Sequence, residues 1–168
     1  SYYPRTASTT PRGRASKVLT LLKKVEERRF QSAGAYSTGS FQTAMATSAG
    51  LFAHHQRSLA RFVTVVMTDS SSGYAERLSM NADEIDPESI AQEAIEKASR
   101  GQNPVAVEPG EYEVVLEEYA VSDILDFLAY LSFGALAVQE GRSFMSGKLG
   151  QKVMGENISI WDNGLDTS

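Results

Sequence analysis

His54 and His55 are the only histidines in the chain, and their adjacency argues against a chelating pair. Neighbouring residues on a strand project to opposite faces, so the two imidazoles do not converge on one ion. A zinc site also needs a third donor, and the chain has no cysteine to offer a thiolate. Asp83, Glu84, Asp86 and Glu88 could pass for a metal or general-acid cluster, but they gather where a helix begins. Carboxylates are stabilised there by the helix dipole alone. Glu117 and Glu118 suit a strand-to-helix junction in the same way. Asp69-Ser70-Ser71-Ser72-Gly73 has the small residues of an anion-binding loop, yet it lacks the GxxxxGK[ST] spacing and precedes a strand, which predicts a hairpin turn. Gly147-Lys148-Leu149-Gly150 contains a Gly-Lys pair without the earlier glycine and strand that a phosphate loop requires. No GxSxG elbow is present, so nucleophilic serine chemistry has no support.

The elements that would position any site follow from periodicity. Residues 1–13, rich in Thr, Ser, Pro and Arg, read as an extended lead-in. Val18, Leu21, Leu22 and Val25 recur at steps of three and four and predict a helix from Ala15 to about Arg29. Lys17, Lys23, Lys24, Arg28 and Arg29 then form its solvated face. Four strands are expected next, over Ala33–Ser37, Phe41–Thr47, Leu51–Thr68 and Tyr74–Met80, with turns at Thr38-Gly39, Ser48-Ala49-Gly50 and 69–73. They make an antiparallel meander. Asp86-Pro87-Glu88-Ser89 is a helix start: a capping acid, then proline at the first helical position. Ile90, Ala91, Ala94, Ile95 and Ala98 give this helix a narrow stripe of mostly small residues, so it packs close to its partner, and Arg100-Gly101 ends it.

Gln102 to Gly110 reads as a linker. Glu111 to Glu118 alternates charged and apolar residues as a strand does, and Val121 to about Gln139 is apolar nearly all round, as a helix central to a core should be. Gly141 to Gly155 is a loop, Asn157 to Asp162 a short strand, and Asn163-Gly164 the start of a turn. The fold class expected is α+β: an antiparallel meander packed with helices, followed by the start of a β-rich second domain.

The 168 residues suffice for one domain and part of another, and 42% hydrophobic with 22% charged residues is ordinary for a globular chain. The most apolar stretch, Ile124 to Val138, is interrupted by Asp126, Tyr130, Ser132 and Gly134 and is too short to span a bilayer. No charged flank followed by an apolar core opens the chain, which leaves the cytoplasm as the expected compartment. There is no initiator Met, which suggests a fragment of something longer. The net charge of −5 is uneven: residues 1–31 hold eight Lys/Arg and two acids, residues 69–126 fifteen acids and three bases. With a pI near 5.1, strong counterion-driven binding of nucleic acid is not expected.

In order along nearly the whole chain, several segments resemble the TldD/PmbA family, once called modulators of DNA gyrase. They are Pro4-Arg5-Thr6-Ala7-Ser8-Thr9-Thr10-Pro11 ahead of a helix, Thr47-Ser48-Ala49-Gly50-Leu51, Ser72-Gly73-Tyr74-Ala75, and the strand Pro109-Gly110-Glu111-Tyr112-Glu113-Val114-Val115-Leu116-Glu117. Glu140-Gly141-Arg142-Ser143-Phe144 and Gly147-Lys148-Leu149-Gly150 complete the set. Thr47 stands where the family's turn usually has Asn, and Glu118 where Pro is common.

The resemblance implies a fragment. Residues 1–106 would be the C-terminal part of an α/β amino-terminal domain, and 107–168 the beginning of a β-rich carboxy-terminal domain. It also implies zinc-dependent proteolysis, often by a heterodimer in which the TldD-type subunit holds the metal on an HExxxH helix just after the "VVL" strand. Here that helix, from Val121 through Gly134, has no histidine. The chain therefore resembles the PmbA/TldE-like type: no catalytic residue and no metal ligand of its own, zinc expected only in a TldD-like partner, and a role in binding or presenting peptide. Arg142, Ser143, Phe144, Ser146 and Gly147 are the candidate peptide-binding surface, in a loop whose Gly and Ser residues would leave backbone groups free for an extended peptide. Assembly is expected as a homodimer or as a heterodimer with a TldD-like subunit, with a peptide or small-protein substrate and no membrane. The alternative is a non-enzymatic homodimeric interaction module.

Overall fold

The computed structural model describes residues 1–163 and divides the chain into two compact units, Ser1–Val107 and Glu108–Ser168. The fold is α+β, a three-stranded antiparallel sheet with helices.

In the first unit the lead-in is not extended. Pro4–Ala7 forms a short helix, α1, and a second helix, α2, runs Pro11–Glu26. Both open on proline, whose fixed φ suits the first helical position, and the Thr10 hydroxyl caps α2 by accepting from the Gly13 amide at 3.1 Å. The Ser/Thr/Pro composition that looks like linker is the punctuation of two helix starts. α1 is also tied down by tertiary contacts. Thr6 is fully buried, and its Oγ1 accepts from the Ala82 amide at 2.8 Å. The Tyr3 amide donates to Ser58 Oγ at 2.9 Å, and Ser58 Oγ donates to the Met80 carbonyl at 2.7 Å. α2 ends three residues before the expected Arg29, which reverses the chain at φ 57°.

The sheet has three strands where four were expected. Strand β1, Gln31–Ala46, pairs in unbroken register with β2, Phe52–Met67, from Gln31↔Met67 to Ala46↔Phe52. Thr38-Gly39 is therefore not a turn. Gly39 lies opposite Leu59 in extended backbone with open space beside it, and a glycine flanked by small polar residues imitates a turn in sequence without making one. The turn at residues 47–51 does form, with Gly50 at φ 86° and the Thr47 amide donating to the Leu51 carbonyl. So does the hairpin at Thr68–Ser71, which leads into β3, Ser72–Ser79. The order is β1-β2-β3, with β3 beside only Ala60–Met67. Residues 39–59 thus continue as a two-stranded arm.

One face of the sheet carries the core. Tyr36, Ala60, Phe62, Val66 and Ala75 pack with Leu21 and Val25 of α2, and with Ile90, Ala91, Ala94, Ile95 and Ala98 of helix α3, Pro87–Arg100. Asp86 caps α3 as expected, accepting from the Glu88 and Ser89 amides. The small-residue stripe seats α3 so close to β3 that a Cβ at Gly73 would lie 2.0 Å from the Ala94 carbonyl oxygen. Tyr36 stacks on Phe62 at 4.9 Å, and its hydroxyl is buried without a hydrogen-bond partner; burial raises its pKa. Burial likewise lowers the pKa of the Lys17 ammonium, which Asp83 and Asp86 oppose, while its Nζ donates to the Ala82 and Ile85 carbonyls. Among the described residues of this unit no helix packs on the other face. There Arg61, Glu76 and Tyr74 form a hydrogen-bonded ion-pair network.

The second unit is helical over its described residues: α4, Glu118–Leu128, one π-helical segment at Ala129–Phe133, and α5, Ala135–Gln139. The strands expected at 111–118 and 157–162 do not form there. A strand exists only through hydrogen bonds to a neighbour, and no described segment of this unit supplies them. The single helix expected from Val121 to Gln139 is broken at Gly134, where the backbone becomes extended. Nor is it a core helix in this chain: α4 buries no residue, and Phe127 is 68% exposed. An all-apolar helix is buried only if enough surface faces it, and a unit this small has little to offer. The turn expected at Asn163-Gly164 reaches outside the described residues. Among the described residues no helix is long and apolar enough to cross a membrane.

Candidate functional site

The chemistry-bearing geometry lies within the second unit. α5 ends at Gln139 with Glu140 as its cap, and Gly141 at φ 73° turns the chain back under it. The Arg142 and Ser143 amides both donate to the Ala137 carbonyl, and Ser146 Oγ donates to the Val138 carbonyl at 3.0 Å. Ser143 is buried, and its Oγ accepts from the Met145 amide at 3.1 Å. Its carbonyl takes the Ser146 amide at 3.0 Å. Arg142 points the other way and pairs with Glu140 at 2.7 Å. Gly147, at φ 73° with open space where a Cβ would stand, closes the loop.

The five candidate residues therefore have different parts. Arg142, Ser143, Ser146 and Gly147 shape the loop, whose amides at 142, 143, 145 and 146 are already donated internally. Few are left for an incoming backbone. Phe144 alone of the five reaches a cleft. Its ring meets Phe133 edge-on at 6.4 Å, and with Met145, Met154, Ile158, Ile160 and Trp161 it lines a hollow of about 730 Å³. Lys152 and Asp162 bring charge to the same lining. The π-helical segment contributes Ala129 and Phe133; its extra residue per turn shifts the phase of the helix there, as such segments commonly do near working sites. Sequence reasoning missed the lining outside the loop. The available signal was composition: the one tryptophan of the chain, two methionines and two isoleucines fall between residues 145 and 161, in a stretch otherwise read as loop and strand.

The family model for the PmbA/TldA metallopeptidase central domain matches residues 12–102, and that for the C-terminal domain matches residues 109–168. The chain belongs to the TldD/PmbA family. An uncharacterized protein of Methanocaldococcus jannaschii is 33% identical over 99 residues, which cover 59% of this chain and 23% of that protein. The crystal structure of a proposed modulator of DNA gyrase from Thermotoga maritima superposes with a TM-score of 0.74 at 19% identity, over 89% of this chain and 36% of that one. A second proposed modulator of DNA gyrase, from Bacteroides thetaiotaomicron, gives 0.69 at 21% identity, over 90% of this chain and 36% of that one. The chain thus spans about a quarter to a third of the length of these relatives.

The family's description as metallopeptidases directs attention to the possible metal donors of this chain. Catalytic zinc takes three protein ligands, imidazoles foremost. Residues 118–140 contain neither His nor Cys. His54 and His55 sit on the arm opposite Ala44 and Thr43, on alternate faces of β2. Among the described residues no three His, Cys, Asp or Glu side chains gather around a common point. The described residues gather no donor set of the kind catalytic zinc takes.

Proposed function

We propose that this chain is the non-zinc type of family subunit: it binds or presents a peptide or small-protein substrate to a TldD-like metallopeptidase partner, in cytoplasmic proteolysis or peptide maturation. The observation that carries the reading is the pairing of an apolar cleft with a helix that offers neither imidazole nor thiolate to a metal. Phe144, Met145 and Trp161 would take apolar side chains of the substrate, while Lys152 and Asp162 would orient its charged groups. On this reading the hydrolytic centre is supplied by the partner chain. The cleft, rather than free amides of the 142–147 loop, is the binding element.

Trp161 supplies its own probe, because it is the only tryptophan. Titration with an apolar peptide should shift its fluorescence, and Phe144→Ser should weaken binding by roughly 10- to 100-fold, the worth of one buried aromatic ring. Cleavage should appear only when a zinc-loaded TldD-like chain is added. Peptide cleavage by the purified chain alone, or stoichiometric zinc retained by it, would refute the assignment.

A further inference from the structure

We propose that one end of the sheet in the first unit carries a site for a free dipeptide, a small zwitterion whose two termini are held by Arg29 and Asp69. Three connections meet at that end. The turn from α2 into β1 supplies Arg29 and Gln31, the hairpin from β2 to β3 supplies Asp69, and the chain just past α3 supplies Gln102 and Asn103. Together they line a hollow of about 320 Å³, within the range of small-ligand sites. It lies wholly inside the first unit and shares no residue with the apolar cleft of the second. The inference therefore stands or falls separately from the peptide-presenting role.

Two observations set this hollow apart from an ordinary dip in the surface. The first is the backbone. Arg29 at φ 57° and Asn103 at φ 56° are the only non-glycine residues in the left-handed region among the described residues, and both line it. Asparagine is at home in that conformation, whereas arginine adopts it at a steric cost. Residues held this way gather at ligand sites. The second is the division between polar groups that are committed and those that are not. Thr68 Oγ1 accepts from the Ser71 amide at 3.1 Å, the Ser71 hydroxyl donates to the Ala98 carbonyl, and Ser70 Oγ accepts from the Asn103 amide at 3.2 Å. These bonds tie the hairpin to the end of α3 and fix the walls before any ligand arrives. The side chains of Arg29, Gln31, Asp69, Gln102 and Asn103, in contrast, make no hydrogen bond or ion pair among the described residues.

The class of ligand follows from those free groups. A guanidinium and a carboxylate share the hollow without pairing, so a ligand with one charge of each sign satisfies both. Its carboxylate takes the planar fork of Arg29 and its ammonium meets Asp69. A simple anion would be repelled by Asp69, and a simple cation by Arg29. The three carboxamides each offer a donor and an acceptor, which suits the peptide group between the two ends.

The test is calorimetric titration of the chain with alanylalanine, for which a dissociation constant of about 1 mM or tighter is expected. Asp69→Asn and Arg29→Gln should each weaken binding about tenfold. Blocking the ligand should mirror the substitutions. N-acetylation should weaken binding to the parent but no further to Asp69→Asn, and C-terminal amidation should do the same with Arg29→Gln. Arg29→Gly keeps the left-handed turn without its steric cost, so it should unfold no earlier than the parent while losing the same factor of about ten, which separates a lost contact from a lost fold. Absence of binding up to about 20 mM, blocked dipeptides bound as tightly as the free one, or Asp69→Asn and Arg29→Gln variants that bind like the parent would overturn the proposal. So would a titration reported by Trp161 fluorescence and unmoved by both substitutions, since the dipeptide would then occupy the apolar cleft.

Discussion

Replacing Gly73 with alanine tests the closest contact in the first unit. A Cβ built there lies 2.0 Å from the Ala94 carbonyl oxygen, 2.6 Å from the Ala98 amide nitrogen and 2.8 Å from the Lys97 Cβ. The first two are backbone atoms of α3, which cannot rotate aside as a side chain would. The helix must lift by more than 1 Å to reach an ordinary contact distance, on the order of 3.5–4 Å. That movement loosens the seam where Ala91, Ala94 and Ala98, all fully buried, meet the sheet. Overpacking of a tight core costs ~1–3 kcal/mol, and the rigidity of this obstacle places Gly73→Ala at the upper end, ~2–3 kcal/mol. For a unit of this size such a loss lowers the melting temperature by roughly 10–20 °C. The measurement is urea unfolding of parent and variant, with Gly39→Ala as control. The control Cβ meets nothing within 4 Å, so that variant should match the parent or gain slightly. If Gly73→Ala unfolds within about 0.5 kcal/mol of the parent, α3 does not sit against β3 as described.

Three further outcomes follow from single interactions. Thr6→Val removes the acceptor of the buried Ala82 amide and should cost ~1–3 kcal/mol, read by thermal unfolding; an unchanged midpoint would mean that α1 is not docked. Asp86→Ala removes a cap that accepts from two amides of α3 and should cost ~1 kcal/mol, whereas Asp86→Asn should recover most of it. The Arg61 guanidinium beside Glu76 holds its carboxyl below the usual range, with a smaller pull from the Tyr74 hydroxyl and burial opposing. Its folded pKa is thus below its unfolded value, so the stability it contributes is present above pH ~4.5 and is lost as pH falls through the folded value. Arg61→Ala should raise the midpoint of acid unfolding, and an unmoved midpoint would show that the pair contributes nothing.

The elements most legible in the sequence were those whose signals are local. The start and length of α3 follow from Asp86-Pro87, a small-residue stripe and Gly101, because caps and periodicity act over a few residues. The hairpin turns at 47–51 and 68–71 are similarly short-range. Misreadings arose where one composition serves two purposes. Thr10-Pro11 looks like linker and is a helix cap, and Thr38-Gly39 looks like a turn and is mid-strand. For the candidate site, the loop could be located from the order of its motifs, but not the roles of its residues. Ser143 and Ser146 turn inward to hold the loop, and only Phe144 reaches the cleft.

From sequence alone come the α+β class, the family, and the lack of imidazole on the helix after residue 118, since these depend only on residue type and order along the chain. Tertiary structure decided which alternating segments became strands. β1 and β2 found each other, while among the described residues no strand forms over 111–116, because a strand's hydrogen bonds are made to another segment and never to itself. It also decided that an apolar helix stays uncovered and that side chains from 129 to 162 share one hollow. Burial is a relation between surfaces, and a linear string of residues does not state which surfaces meet.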